Sequence, residues 1–235
     1  MKVMIFAAGK GTRLGELTQK TPKPLIDIGG TSPLMRTLKL LSEAGYKDVV
    51  VNVSYLRQQI IDALTPAPYG LNITISDEGD EPLETAGGII HALPHLGDAP
   101  FLCVNADVVW AEEEMQLFKK LPTAFDASQM SALLAVVRRE DALCYSGKGD
   151  FNLDEQGRLS FAVDEPVPYV YACVQVLNPA VFKPLEPGKR GLASLYKAWA
   201  AEGCLYGLTV EGAWVDMGTP EGLAAARRLL VKKAG

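Results

Sequence analysis

The sequence predicts an α/β fold: a mostly parallel sheet with helices on both faces. Three observations point there. Short apolar runs alternate with stretches of helical spacing through the first half of the chain. A glycine-rich turn directly follows the first apolar run, as where a buried strand feeds a loop that can approach a ligand closely. The 235 residues are 48% hydrophobic and 22% charged, ordinary values for a chain that folds around a large core without staples.

The elements follow in order. Val3 to Ala8 is an apolar strand ending at Gly9. Pro33 to Ala44 has helical spacing, with Leu34, Leu38 and Leu41 on one face and Gly45 as its stop. Val49 to Val53 is a β-branched strand, Leu56 to Leu64 a helix closed by Pro66, and Leu71 to Ile75 an alternating strand. Thr85 to Leu93 reads as a helix capped by Thr85, and Phe101 to Val104 as a buried strand. The second half is less regular. Leu133 to Val137 is a strand, and Phe151 to Phe161 a hairpin around Asp154-Glu155-Gln156-Gly157. Tyr169 to Leu177 is a strand, and Pro179 opens a short helix. Leu192 to Ala201 is helical and Leu205 to Val210 a strand. Pro220 to Lys232 closes the chain as a helix capped by Thr219. With no repeat, low-complexity tract or evident linker, residues 1–235 read as one domain whose two halves share a sheet.

Charge and cysteine usage exclude several classes. Lys plus Arg is 23 and Asp plus Glu is 28, giving a net charge of −5 and a pI near 5.2, which argues against a nucleic-acid binder. No apolar run approaches the roughly 20 residues of a membrane helix. The first nine residues resemble a weak signal peptide, but Lys10 and Arg13 follow the apolar run where a cleavage site belongs, so the segment is expected to be a strand. Cys103, Cys144, Cys173 and Cys204 form no C-x-x-C pair and are expected to be buried thiols in a reducing, cytoplasmic compartment. Asn52-Val-Ser54 and Asn72-Ile-Thr74 match a glycosylation pattern that carries no meaning there. His91 and His95 have a metal-compatible spacing, but Pro94 between them and the lack of a third ligand argue against zinc. Glu112-Glu113-Glu114 reads as the acidic first turn of a helix.

Four segments carry the chemistry. Ala7-Ala8-Gly9-Lys10-Gly11-Thr12-Arg13-Leu14 is a phosphate-sized turn, yet it is neither a P-loop nor a dinucleotide fingerprint: Met4 stands where the P-loop needs its first glycine, and Leu14 where the fingerprint needs its third. In Thr21-Pro22-Lys23-Pro24-Leu25 two prolines stiffen the backbone around one lysine, so its ammonium can meet a phosphate at little entropic cost. Asp107 follows the strand Phe101 to Val104, at the carboxyl end where open α/β sheets bind ligands. Asp216 lies in Trp214-Val215-Asp216-Met217-Gly218-Thr219-Pro220, far along the chain. Alone, each has a plain structural reading as a tight turn, a solvated lysine or a cap.

Together they resemble the sugar-1-phosphate nucleotidyltransferases. The family pattern A-A-G-x-G-T-R-L, P-L-T and P-K-P matches Ala7 to Leu14, Leu17-Thr18 and Pro22-Lys23-Pro24, with Glu16 where the family has proline. Asn105-Ala106-Asp107 resembles the family's metal-binding strand end, and Trp214 to Pro220 its W-x-D-x-G-T-P. The resemblance implies a Rossmann-like, mixed but mostly parallel sheet of the nucleotide-diphospho-sugar transferase type. It implies a nucleotide-binding half over about 1–110 and a sugar-binding half over about 111–235. It implies that Arg13, Lys23 and Asp107 are catalytic, and that Asp107 and Asp216 hold Mg²⁺. Ala8, Gly9, Gly11, Thr12, Arg13 and Lys23 would meet the nucleotide phosphates, with Glu84 and Thr85 near the base. Glu81 to Ile89 and the Gly147 to Phe151 segment resemble the short N-acetylmuramate-1-phosphate uridylyltransferases, which places Asn105, Gly149 and Asp150 on the sugar side.

The implied reaction joins UTP and N-acetylmuramate 1-phosphate into UDP-N-acetylmuramate, a step of cell-wall recycling, in a monomer or small homo-oligomer with no nucleic-acid or membrane partner. The alternatives are a mannose- or heptose-1-phosphate guanylyltransferase, a catalytically silent nucleotide-binding homologue and, more distantly, a dinucleotide oxidoreductase.

Overall fold

In a computed structural model of the chain, residues 1–110, 114–161 and 166–234 are described. The elements in chain order are β1 (Val3–Phe6), α1 (Leu17–Lys20), α2 (Pro33–Glu43), β2 (Asp48–Val53), α3 (Arg57–Leu64), β3 (Asn72–Asp77), α4 (Glu84–Leu96), β4 (Phe101–Asn105), β5 (Val108–Trp110), α5 (Glu114–Ala124), β6 (Ala132–Arg138), β7 (Ala142–Leu143), β8 (Asn152–Leu153), β9 (Leu159–Ser160), β10 (Tyr169–Leu177), α6 (Ala193–Ala201), β11 (Leu205–Thr209), β12 (Trp214–Asp216) and α7 (Pro220–Ala234).

Seven strands form the main sheet in the order β11-β6-β10-β4-β1-β2-β3. β10 runs antiparallel to both its neighbours, and the other adjacent pairs are parallel, so the sheet is mixed but mostly parallel. Side chains alternate across it with the two-residue period of a strand. Val3 and Ile5 pack with Leu34, Leu38 and Leu41 of α2, Ile60 of α3 and Phe118 of α5. Met4 and Cys103 point the other way, toward Ala86, Ile89 and Ala92 of α4 and Tyr196 and Trp199 of α6. A buried apolar residue on each side of every central strand requires a helical layer on both faces, which the helical spacing supplies.

Helix ends follow their local chemistry. Ser32 Oγ accepts the Met35 N–H at 3.3 Å ahead of α2, with Pro33 in the first turn. Thr219 Oγ1 accepts the Gly222 N–H at 3.2 Å ahead of α7. α4 differs from expectation at both ends. It begins at Glu84, so Thr85 is not its cap; Thr85 Oγ1 instead accepts the Leu192 N–H at 2.9 Å and ties α4 to the segment before α6. Its other end runs through Pro94 to Leu96, because a proline in the last turn forfeits only one intrahelical bond. Cysteine burial also differs: Cys103 is buried, Cys173 and Cys204 are half-buried, and Cys144 is exposed. Of the three glutamates expected to open a helix, Glu114 begins α5, and Glu112 and Glu113 lie outside the described residues.

A three-stranded sheet, β5-β12-β7, had no counterpart in the sequence reading. β12 pairs antiparallel with β5, Asp216 standing opposite Val108, and parallel with β7. α7 covers this small sheet through Leu223 and Ala226, which pack with Val215, Met217, Leu14, Ile26 and Ile28. The last helix is thereby fastened to the loops that follow β1.

Leu38 has no exposed surface and lies at the centre of the α2 contact with the sheet. Leu38→Ala is expected to lower stability by about 2–5 kcal/mol. Urea unfolding should show a reduced midpoint with an unchanged slope.

Candidate active site

The chain passes from β1 through β2 to β3 on one side, then returns to place β4 on the other side of β1. Adjacent strand ends that diverge in this way open a crevice at their carboxyl edge. A cleft of about 340 Å³ lies there. Of the residues singled out from the sequence, Ala8, Gly9, Gly11, Thr12, Arg13, Lys23, Glu84, Thr85, Asn105 and Asp107 line it; Gly149, Asp150 and Asp216 do not.

One wall is the turn after β1. Gly11 adopts a left-handed backbone, with φ 64, and enters a single 3-10 turn over Thr12–Leu14. A Cβ at Gly11 would lie 3.0 Å from both Lys23 Cβ and Thr18 Cγ2, so glycine answers here to both dihedral and space. Thr18 Oγ1 donates to the Gly11 carbonyl at 3.1 Å, and the Tyr55 hydroxyl donates to the Thr18 carbonyl at 3.0 Å. The proline-flanked lysine enters the next 3-10 turn, Lys23–Leu25, with Pro22 extended before it. That geometry swings Lys23 inward until only 9% of it is exposed.

The opposite wall is the start of α4. Glu84 carries a φ of 63, a strained conformation for a residue with a side chain, at the point where the backbone turns into the cleft. The Gly87 N–H donates to the Arg190 carbonyl, and the Arg190 N–H to the Leu83 carbonyl, both at 2.9 Å. These bonds hold the turn from behind.

Charge organises the base of the cleft and the strand beside it. Lys23 Nζ pairs with Asp107 Oδ2, a largely buried contact. Arg13 Nη1 reaches Asp216 Oδ2 at 3.5 Å in a pair that is open on the arginine side. The Gly218 N–H holds the other oxygen of Asp216 at 2.8 Å. The two carboxylates come together through strand register. The Ala106 N–H donates to the Phe6 carbonyl at 3.1 Å, continuing the β1–β4 ladder to the residue before Asp107. Asp107 in turn precedes Val108, the direct partner of Asp216. Residues 109 apart in sequence thus stand one register step apart, each facing a basic side chain.

Asp150 lies outside the cleft lining, bonded to Tyr145 and to the β10 backbone. Its two carboxylate oxygens accept the Tyr171 N–H at 2.8 Å and the Tyr145 hydroxyl at 3.3 Å. Burial raises its carboxyl above the usual range, against the pull of those two donors. Burial likewise raises the Tyr145 hydroxyl, with the Asp150 charge adding to it. Cys173 lies where β10 shifts register between Tyr171 and Gln175. Burial raises its thiol; Asp107, Asp216 and Asp150 push it further and Lys23 opposes them. His91 Nε2 lies 3.0 Å from the Asp77 carbonyl on the outer side of α4.

Two cleft residues escaped the sequence reading. Asn52 and Glu78 line the cleft from the ends of β2 and β3. Asn52 presented itself only as a glycosylation pattern, yet it is 3% exposed. A polar residue interrupting the apolar run 49–53 was the signal available.

Comparison with known proteins identifies the family. A family model described as nucleotidyl transferase matches residues 2–233. An N-acetylmuramate alpha-1-phosphate uridylyltransferase of Neisseria meningitidis is 35% identical, over 97% of this chain and 98% of that protein. One of Caulobacter vibrioides is 34% identical, over 96% of each. Among solved structures, HddC from Yersinia pseudotuberculosis complexed with GMP-PN superposes with a TM-score of 0.79 at 22% identity, covering 97% of this chain and 99% of that one, a likeness of fold. With the match running from the first strand into the last helix, the chain belongs to the nucleotidyl transferase family.

Proposed function

We propose that this chain transfers a uridylyl group from UTP to N-acetylmuramate 1-phosphate, forming UDP-N-acetylmuramate and pyrophosphate. The observation that carries the transfer chemistry is the charge at the cleft: Asp107 lines it against Lys23, and Asp216, one register step away and just outside the lining, faces Arg13 beside the glycine turn. The base and the sugar rest on the two uridylyltransferases matched along nearly their whole length.

The chemistry needs little from the protein beyond placement. A phosphomonoester has a second pKa of about 6, so a sugar 1-phosphate is already largely dianionic at neutral pH and needs no general base. One of its oxygens attacks the α-phosphorus of UTP; the bond from that phosphorus to the bridging oxygen breaks, and pyrophosphate leaves with the electron pair. The obstacle is repulsion between two anions that must meet in line. Arg13 and Lys23 supply positive charge, and the N–H groups of Gly9, Gly11 and Thr12 supply donors that cost no reorganisation. Glu84 and Thr85 border the base, whereas Asn105, Gly149 and Asp150 hold the sugar. On this reading residues up to about 110 form the nucleotide half, and those from about 111 the sugar half.

Asp107 and Asp216 fit Mg²⁺ by donor chemistry: two hard carboxylates leave its other positions to water and phosphate oxygens. Bound there, Mg²⁺ would neutralise charge on the phosphates. The same carboxylates pair with Lys23 and Arg13, so the metal and these two basic groups would compete for them. The reaction belongs to a cytoplasmic enzyme, a monomer or small homo-oligomer; no described helix is long and apolar enough to cross a membrane.

Pyrophosphate release with Mg²⁺ should be fastest for UTP with N-acetylmuramate 1-phosphate when UTP, GTP, CTP and dTTP are screened against N-acetylmuramate, glucose and mannose 1-phosphates. GTP with mannose 1-phosphate as the best pair would make the chain a guanylyltransferase. Nucleotide binding without release from any pair would make it a silent homologue.

Asp107→Asn should act in opposite directions on two measurements. Turnover with Mg²⁺ should fall by about 10²–10³-fold, the scale for loss of one preorganised electrostatic contact. UTP affinity in EDTA, read by calorimetry, should rise, because Lys23 loses its internal partner; an unchanged value would contradict competition by the carboxylate. Lys23→Ala should lower kcat/KM for UTP by about 10²-fold or more while sparing the KM for the sugar 1-phosphate.

A further inference from the structure

Three parallel strands end side by side beneath the cleft, and a continuous polar chain crosses their ends. The Ala7 N–H, just past β1, donates to Asn52 Oδ1 at 2.8 Å. Asn52 Nδ2, near the end of β2, donates to Glu78 Oε1 at 2.6 Å. Glu78 follows β3, anchored by its own N–H on the Val53 carbonyl at 2.9 Å. Its second oxygen, Oε2, accepts the Leu83 N–H at 2.7 Å, at the residue before α4. The chain therefore runs from the first residue of the glycine turn to the residue that launches the opposite wall.

We propose that Asn52 and Glu78 are positioning residues that set the width of the nucleotide cleft, by fixing the distance between the glycine turn and the entry to α4. The proposal rests on the reading of this cleft as the nucleotide site.

The polarity of the chain explains the residue types. Both ends of the bridge are backbone N–H groups, which only donate. The bridge must therefore present an acceptor at each end and one donor–acceptor contact in the middle. One amide and one carboxylate satisfy this; the carboxylate accepts twice and so fixes which way the amide faces. Two amides leave two donors opposed at one contact, and two ionised carboxylates leave two acceptors opposed. Helix α4 seals the bridge from the third side. A Cβ at Gly88 would lie 2.5 Å from Glu78 Oε1 and 2.9 Å from Asn52 Nδ2, so a glycine lets the helix pass directly over the pair. Asn52 is buried and Glu78 half-buried, so water from the cleft only partly replaces a hydrogen bond unmade between them.

The same logic supplies the test. Asn52→Asp opposes two carboxylates, and Glu78→Gln opposes two donors. The double variant N52D/E78Q exchanges amide and carboxylate between the strands and restores every contact. Binding of UTP to the full chain with Mg²⁺ is measured by calorimetry, the KM values for UTP and sugar 1-phosphate by pyrophosphate release, and folding by thermal unfolding. Each single variant should weaken UTP binding by about tenfold, the scale of one part-buried hydrogen bond whose loss lets the cleft walls shift away from the nucleotide. The sugar 1-phosphate KM should stay unchanged, and the double variant should regain most of the UTP affinity, a strong departure from additivity. A double variant no better than the weaker single, or single variants that bind UTP as the natural chain does, would overturn the bridge. A drop in melting temperature with UTP affinity intact would reduce it to a structural contact, which also overturns the proposal. If the natural chain bound none of UTP, GTP, CTP and dTTP, the functional reading would fall first; if it bound another of them, that nucleotide would serve as the probe.

Discussion

Two carboxylates one register step apart at the edge of a cleft repel each other, and the site is arranged around the positive charge that offsets this. The antiparallel pairing of β5 with β12 brings Asp107 and Asp216 together. Lys23 and Arg13 then neutralise one acid each. The pairings differ in kind. Lys23 with Asp107 is largely withdrawn from water, where a lost partner is costly, while Arg13 with Asp216 is exposed on the arginine side and weaker. The buried pair fixes the floor; the exposed one leaves an arginine free to swing toward an arriving anion.

Everything that presents these four charges is itself held by packing rather than by the charges. The turn after β1 rests on Leu14, Ile26 and Ile28, which share a core with Val215, Met217 and Leu223 from the far end of the chain. The first and last segments therefore fold as one unit around the site. Lys23 is presented by Pro22 and Pro24, whose fixed φ angles reduce the entropy lost in burying a long side chain. On the other wall, the strained backbone of Glu84 is held by the bonds between the Leu83–Gly87 segment and Arg190. Strain at the wall is thus balanced by a segment that never enters the cleft.

Much of this was legible along the chain because it is local. The apolar runs of β1, β2 and β4 alternate across two helical layers whatever else happens, so the layered fold follows from periodicity. The glycine turn and the proline-flanked lysine are dense enough in special residues to stand out as a site. Thr219 ahead of Pro220 announces α7 correctly, because a cap and a first-turn proline act within a few residues. Thr85 shows the limit of the same rule. Its hydroxyl is equally suited to cap a helix, but the Leu192 N–H, 107 residues away, claims it instead. Strands of three residues such as β5 and β12 have too little pattern to be seen, since their stability comes from their partners. Asn52 was invisible for a related reason: its partners are Ala7 and Glu78, 45 and 26 residues distant.

The sequence by itself determined the class of fold, the order of its main elements and the glycine turn and lysine that line the cleft, because periodicity, glycine and proline act on their own neighbourhood. Only the tertiary structure decided which acid faces which base and how two opposite walls are spaced. Those choices depend on strand register and on hydrogen bonds between segments distant in the chain, and they are made when the sheets assemble.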